Sequence, residues 1–268
     1  MTSKEFFMKK IISVVAFGIM AVSSLVSQAS EKMLKQMSFG FRGSFGASVL
    51  DITDSQKHEL GNELAAILSD SLGTQNASYS VDNDTAGMGG FAFWGNYSFP
   101  QVPALGIQGE IGFLFNNGTE INAESKTYVS GVGNVSLEFK DKISYTTMEV
   151  PVLVTYTVNK GGFFEFIPHG GFYLSFPIGK CKQDYNIKMT AVGKTLADED
   201  GTDNDKIDSS VLFGMAIGSD FALNFSKTSA LVFNLRYMYD FNKLKIDGDE
   251  VARRSAFLLS AGYRYTVR

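Results

Sequence analysis

Eight segments of the sequence alternate large apolar residues with small or polar ones at every second position. Residues 37–49 show the pattern most fully: the odd positions include Phe39, Phe41 and Phe45, whereas the even positions hold Ser, Gly and Arg42. Successive side chains of a β-strand point to opposite faces, so this spacing places the large apolar groups on one face. The pattern recurs in residues 91–99, 105–115, 150–156, 164–176, 211–223, 231–241 and 257–267. The sequence therefore predicts eight strands.

The composition of the second face indicates where the apolar face points. A water-soluble sandwich or barrel hides its apolar face and normally carries many charges outside. Here the second face is mostly Gly, Ser, Ala and Asn, and the chain has 27 Gly and 23 Phe. Small residues suit the narrow interior of an eight-stranded barrel, and a Phe-rich face suits lipid. We therefore predict an all-β fold: an eight-stranded antiparallel transmembrane up-and-down β-barrel over residues 37–268.

The connections between the predicted strands fall into two classes. The short ones are residues 101–104, 159–162 and 226–229; the long ones are residues 50–84, 116–140, 177–208 and 242–254. Short periplasmic turns and long extracellular loops are typical of outer-membrane barrels. The first long loop contains a predicted amphipathic helix, residues 54–72, with Asp54 or Ser55 as its N-cap and Gly73 at its end. We expect it to cover the barrel mouth or to lie at the lipid interface.

The N-terminal residues are typical of an export signal. Lys9 and Lys10 precede an uncharged apolar run, which ends in small residues at Ala29. We predict cleavage after Ala29, a periplasmic segment over residues 30–36, and export to the outer membrane of a Gram-negative-type (diderm) bacterium. The alternative is an uncleaved anchor, because the uncharged run is close to the about 20 residues that a spanning helix needs.

Charge and cysteine content exclude several classes of function. Cleavage would remove three lysines and one glutamate and change the formal charge from −4 to −6, which disfavours nucleic-acid partners. The single Cys181 excludes an internal disulfide and is predicted to be a partly shielded free thiol. The acidic residues 198–205 lack the spacing of an EF-hand, so a solvated loop is favoured over a calcium site. No cofactor is predicted.

Several strand motifs resemble a known family. Residues 148–156, with the Glu149-Val150-Pro151 motif, together with residues 168–174, 235–237 and 262–265, are similar to the porin-family outer membrane protein beta-barrel domain, the PorT-like or OmpA/OmpX-like small barrels of Bacteroidetes and spirochaetes. The resemblance covers residue 37 to the C-terminus, but Val267-Arg268 replaces the final aromatic residue of that family. It implies the fold and an outer-membrane location, with the barrel assembly machinery as a partner, rather than an activity.

The charged residues of the predicted lumen form the candidate site. Because an eight-stranded barrel is filled by its own side chains, the inward charges must be paired. We predict a polar plug that closes the lumen. The alternative is a gated ion or proton path along the same residues. The predicted network comprises Arg42, Trp94, Glu110, Glu149, His169, Asp220 and Arg236.

Three functions follow from these residues. The first is a non-enzymatic barrel with a structural or surface-interaction role, whose extracellular loops meet envelope lipid, a surface protein or a host ligand. The second is a narrow channel or transporter for small solutes or ions. The third is a membrane hydrolase using His169, which is disfavoured because Ser175 lies too far along the same strand for nucleophilic catalysis. A closed barrel has no open edge, so a monomer is expected.

Overall fold

The computed structural model describes residues 36–74, 77–209 and 211–267. The predicted signal peptide, residues 1–29, and most of the predicted periplasmic segment lie outside the described residues. None of the helices in the described ranges has the length and apolarity needed to cross a bilayer. The elements are β1 (Met37–Asp51), α1 (Asp54–Leu72), β2 (Ser78–Phe99), β3 (Val102–Val129), β4 (Gly133–Tyr156), β5 (Phe164–Ala191), β6 (Lys194–Lys206), β7 (Leu212–Asn224), β8 (Ser229–Asp240), β9 (Lys245–Ile246), β10 (Asp249–Glu250) and β11 (Arg253–Thr266).

Eight strands form a closed antiparallel ring, which confirms the predicted barrel. Their order is β4-β3-β2-β1-β11-β8-β7-β5, and pairing of β4 with β5 closes the ring. The first and last strands of the described residues meet where β1 pairs with β11, with Phe41 opposite Tyr263. Strand β6 lies outside the ring and pairs only with the second half of β5. Strands β9 and β10 form a separate hairpin.

The apolar face of the strands points outward, as the composition predicts. Phe45 on β1 is 64% exposed and Phe172 on β5 is 58% exposed, whereas Arg42 on the opposite face of β1 is 3% exposed. Because the ring is closed, the alternating side chains must point either outward or into the lumen. The outward residues make up a band that we call the apolar belt: Phe41, Phe45, Phe93, Val152, Phe172, Ile217, Phe233 and Phe257.

Two of the predicted long loops are strands instead. Strand β3 continues to Val129, and β5 continues to Ala191 before β6 doubles back over the acidic residues 198–205. These segments keep the alternation, but their outward positions are polar: Val135 and Leu137 are buried between Ser136 and Glu138. The search for large apolar faces therefore missed them. We call this continuation of β2–β6 beyond the apolar belt the outer sheet.

Helix α1 spans Asp54–Leu72, the range predicted from the sequence, but its N-cap is Thr53 rather than Asp54 or Ser55. Thr53 accepts a hydrogen bond from the Gln56 amide, and the Gln56 side chain accepts one from the Thr53 amide, which forms a capping box. The helix packs on the concave face of the outer sheet through Leu64 and Leu68, and so it does not lie at the lipid interface.

Candidate functional site

The centre of the lumen is an ion-pair cluster around Glu110, which we call the lower layer. Glu110 on β3 accepts hydrogen bonds from Arg42 Nη2 at 2.5 Å and from Arg236 Nη1 and Nη2 at 2.8 and 2.7 Å. Gln108 Nε2 donates a fourth at 2.7 Å. These residues come from β1, β3 and β8, and their inward positions alternate with belt residues. Four charge-assisted contacts satisfy a carboxylate that is almost fully buried.

Asp220 on β7 completes the lower layer. It accepts a hydrogen bond from Asn234 Nδ2 at 2.5 Å, and its Oδ1 lies 3.6 Å from Arg42 Nη1. Two arginines therefore face two carboxylates, and the layer is balanced in charge. His169 Nδ1 lies 3.9 Å from Asp220 Oδ2, but neither ring nitrogen has a hydrogen-bond partner within the described part of the chain. His169 is close to the lower layer without being bonded to it.

Glu149, also predicted for this network, belongs to a separate upper layer centred on Arg254. Arg254 Nη1 donates to Glu149 Oε1 at 2.9 Å, and its Nε lies 3.2 Å from Asp240 Oδ2. The Tyr173 hydroxyl donates to Asp240, and the Ser175 hydroxyl donates to Glu149. The structure thus places the seven predicted residues in two layers and at one end of the lumen, rather than in one network.

Three members of the upper layer were not predicted. Arg254 was assigned to a long loop, residues 242–254, but it is the second residue of β11. Asp240 and Tyr173 occupy the same inward faces as Arg236 and His169. Both lie within strands predicted from the sequence, 164–176 and 231–241, so the alternation already places them on the inward face.

Apolar side chains separate the two layers. Along β8, Met238 lies between Arg236 and Asp240, and along β3, Leu114 lies between Glu110 and the buried Asn117. A space of about 20 Å³ remains beside them, room for about one water molecule. A further apolar cluster covers the upper layer on the side of the outer sheet: Leu50, Ile121, Ile143, Tyr145, Cys181, Leu212, Leu244 and Ala252.

Trp94 lies at the end of the lumen where the short turns are. It packs with Ile167, Ala222, Ala230 and Val232 and has no hydrogen bond to the ion-pair layers. It forms part of the wall of a cavity of about 680 Å³ that opens between the turns. We call this the turn-end cavity.

The arrangement around His169 does not form a nucleophile and base pair. Ser175, the candidate hydroxyl on the same strand, donates to Glu149, and both nitrogens of His169 lack a partner among the described residues. Nucleophilic catalysis needs the hydroxyl within hydrogen-bond distance of its base. In the same ranges, no three His, Cys, Asp or Glu side chains are grouped so that they could hold a metal ion.

Two buried groups of the outer sheet have shifted pKa values. Cys181 is 1% exposed, and burial raises the pKa of its thiol to about 12, so it is more completely shielded than predicted. Burial also raises the pKa of Asp141 to about 6, against the hydrogen bond that Gln183 donates to it at 2.7 Å. The acidic residues 198–205 are exposed side chains of β6 and not a loop.

The sequence matches no protein-family model and no curated protein. Among solved structures, the chain is similar to the attachment invasion locus protein Ail of Yersinia pestis at 13% identity, with a TM-score of 0.34 over 86% of this chain and 99% of that chain. It is similar to Neisserial surface protein A at 11% identity and a TM-score of 0.34, covering 85% and 96%. It is similar to OprG from Pseudomonas aeruginosa at 13% identity and a TM-score of 0.37, covering 85% and 94%. The ring topology described above defines the fold independently of these likenesses.

Proposed function

We propose that this protein is an outer-membrane β-barrel with a closed lumen, which acts through the outer sheet and α1 in a structural or surface-interaction role. The observation that carries the proposal is the inversion of an ordinary core: the apolar belt faces outward and the ion pairs face inward. An exposed apolar surface that encircles the molecule is incompatible with a monomer in water. A lipid environment satisfies both faces.

The size of the belt supports a membrane location. On β11 the outward apolar positions run from Phe257 to Tyr265, close to the about 9–11 residues with which a tilted strand crosses the hydrocarbon layer. By the general architecture of such barrels, the short turns face the periplasm and the outer sheet faces outward. The closed ring leaves no unpaired edge within the belt, which supports a monomer. The PorT-like resemblance and the role of the assembly machinery stay predictions.

The outer sheet and α1 are the parts available to a partner. The helix fixes the concave face through Leu64 and Leu68, so the sheet is a folded surface rather than a set of free loops. Such a surface could contact envelope lipid, a surface protein or a host molecule. We propose no enzymatic activity, because Glu110 and Glu149 are bound by arginine and hydroxyl groups of the lumen, and Ser175 donates to Glu149 rather than to His169.

The second candidate function is a narrow channel. Two ion-pair layers and the apolar side chains between them fill the lumen, and no observation favours conduction over closure. We expect no steady conductance from the purified protein in planar bilayers. Steady conductance that is lost in Glu110→Ala would contradict the closed-lumen proposal.

Location and orientation can be tested by cysteine labelling in a Gram-negative host that expresses the full chain. Lys194→Cys is exposed at the tip of the outer sheet, Gln101→Cys lies in a short turn, and Phe233→Cys lies in the belt. A membrane-impermeant maleimide should label Lys194→Cys in intact cells and Gln101→Cys only after the outer membrane is permeabilised. Phe233→Cys should react only after unfolding.

The native Cys181 is the internal control, because its burial predicts no labelling of the folded protein. Labelling of Phe233→Cys in folded, membrane-bound protein would contradict the lipid-facing belt. Labelling of Gln101→Cys but not Lys194→Cys in intact cells would reverse the orientation.

A further inference from the structure

The turn-end cavity is a large space at the end of the lumen beside the short turns, and its wall carries more donors than its own residues use. Its floor is formed by Trp94, Gln108 and Asp220, and its rim includes Lys160 and Arg264. A volume of about 680 Å³ is within the range of small-molecule sites. The cavity is independent of the outer surface to which the proposed function belongs.

Three basic side chains line the cavity, Lys160, Lys227 and Arg264, and two of them, Lys160 and Arg264, are held in place but are not saturated. Lys160 Nζ donates to Ser98 Oγ at 2.8 Å and to the Pro103 carbonyl at 2.6 Å, and an ammonium group has three donors. Arg264 Nη2 donates to Glu165 at 2.5 Å and to Asn224 at 2.8 Å, whereas its Nη1 donates no hydrogen bond among the described residues. Both side chains thus retain a donor.

The charge at the rim is also unbalanced. Glu165 is the only carboxylate bonded to these groups among the described residues, and both of its oxygens are engaged, one by Arg264 and one by the Gly161 amide. Asp220 at the floor faces Arg42 of the lower layer. Burial lowers the pKa of Lys160, Glu165 raises it, and Arg264 lowers it by a smaller amount. Because one carboxylate faces these two cations, an anion beside Lys160 and Arg264 would balance the remaining positive charge.

The wall beneath the rim offers acceptors. Asn96 donates through its nitrogen to Thr155, and Gln108 donates through its nitrogen to Glu110. Their amide oxygens therefore remain as acceptors at the cavity wall, beside the indole of Trp94. Hydroxyl groups are the donors that complement amide oxygens, and the apolar C–H face of a sugar ring complements the indole.

We propose that the turn-end cavity binds a small hydroxylated anion, such as a sugar acid, with its negative group between Lys160 and Arg264 and its hydroxyls on Asn96 and Gln108. The inference goes beyond the proposed function, because it assigns a ligand site to the end of the barrel opposite the outer sheet.

The test uses the purified, folded full chain in detergent and three sugars of one ring size: D-glucuronate, D-glucose and D-glucosamine. Trp94 is the single tryptophan of the sequence and lies in the cavity wall, so its fluorescence reports on this site directly. Calorimetry gives a second readout that does not depend on the indole. Glucuronate should bind saturably, glucose at least about tenfold more weakly, and glucosamine not at all, since the difference is one charge-assisted contact.

Lys160→Ala should weaken glucuronate binding about tenfold, and Lys194→Ala, the same change at the far end of the molecule, should leave it unaltered. Unchanged mobility on unheated gels would show that both variants fold. Three results would overturn the proposal: no saturable signal for glucuronate in either readout, equal affinity for glucose, or unchanged affinity in Lys160→Ala. None of these results depends on where the protein resides in the cell.

Discussion

Replacement of Glu110 by Gln is the sharpest test of the ion-pair plug. The amide keeps the shape of the side chain but removes the charge that faces Arg42 and Arg236, which contribute three of the four hydrogen bonds to this carboxylate. The two guanidinium groups would then share only Asp220, 3.6 Å from Arg42. Removing one partner from a buried ion pair costs about 3–5 kcal/mol, mostly because the remaining charge is left uncompensated.

The free energy of unfolding can be measured by urea titration of the purified barrel in detergent, with Trp94 emission as the signal. At a urea m-value of about 2 kcal/mol per molar, the midpoint should fall by about 2 M. The matched control is Glu120→Gln, which breaks an exposed pair with Lys142 at 2.9 Å. That exposed pair should contribute no more than about 1 kcal/mol.

A second variant separates charge imbalance from lost contacts. In Glu110→Gln combined with Arg236→Met, Arg42 and Asp220 remain as a balanced pair. We therefore expect the double variant to be more stable than Glu110→Gln alone, with an interaction energy of about 1–3 kcal/mol. The reasoning is refuted if Glu110→Gln destabilises no more than Glu120→Gln, or if the two substitutions are additive.

Three further predictions concern the outer sheet, the belt and the lumen wall. Because burial raises the pKa of Asp141 to about 6, the ionised side chain destabilises the fold above that pH. Asp141→Asn should therefore slow hydrogen exchange of the outer sheet at pH 8. This slowing should shrink as the pH falls through 6 and disappear near pH 4. Phe233→Lys in the apolar belt should lower the unfolding free energy in lipid vesicles by about 2–4 kcal/mol. Phe163→Lys in a turn should change it by about 1 kcal/mol or less. Equal effects of the two substitutions would argue against a lipid-facing belt. Gly214→Ala should destabilise by about 1–3 kcal/mol, because the new methyl would lie 2.6 Å from the Tyr173 ring. Gly109→Ala faces open space and should be neutral or slightly stabilising in the same urea titration.

The ring of eight strands could be predicted from the sequence because one face of each strand must be apolar. This requirement places a large apolar residue at every second position. The outer sheet could not be predicted in this way, since its convex face carries polar residues such as Glu138 and the large apolar groups that mark a belt strand are absent. The cap at Thr53 was missed because three consecutive residues, Thr53, Asp54 and Ser55, can all cap a helix, and the partner Gln56 decides among them.

Pairing within the lumen was harder to predict than the direction of each side chain. The alternation tells whether a side chain points into the lumen or outward. Arg254, however, binds Glu149 on a strand far away in sequence. Only the register between strands sets which charged residues lie at the same depth in the lumen. Glu149 therefore looked equivalent to Glu110, although Met238 and Leu114 separate their layers. A charge count along one strand carries no information on depth relative to another strand.

The inward glycines show how a narrow barrel accommodates these large groups. A methyl at Gly40 would meet the ring of Trp94, one at Gly218 would lie 2.8 Å from His169 Nε2, and one at Gly262 would lie 2.7 Å from Arg42 Cβ. Each of these bulky inward side chains thus occupies the space beside a glycine of a neighbouring strand. Because an eight-stranded barrel leaves little free volume, these glycines make room for Trp94, His169 and Arg42 in its lumen. The glycines on the inward face are therefore part of the plug. They set which charged side chains and rings can lie side by side. In this way they also set where the lumen is closed and where the turn-end cavity begins.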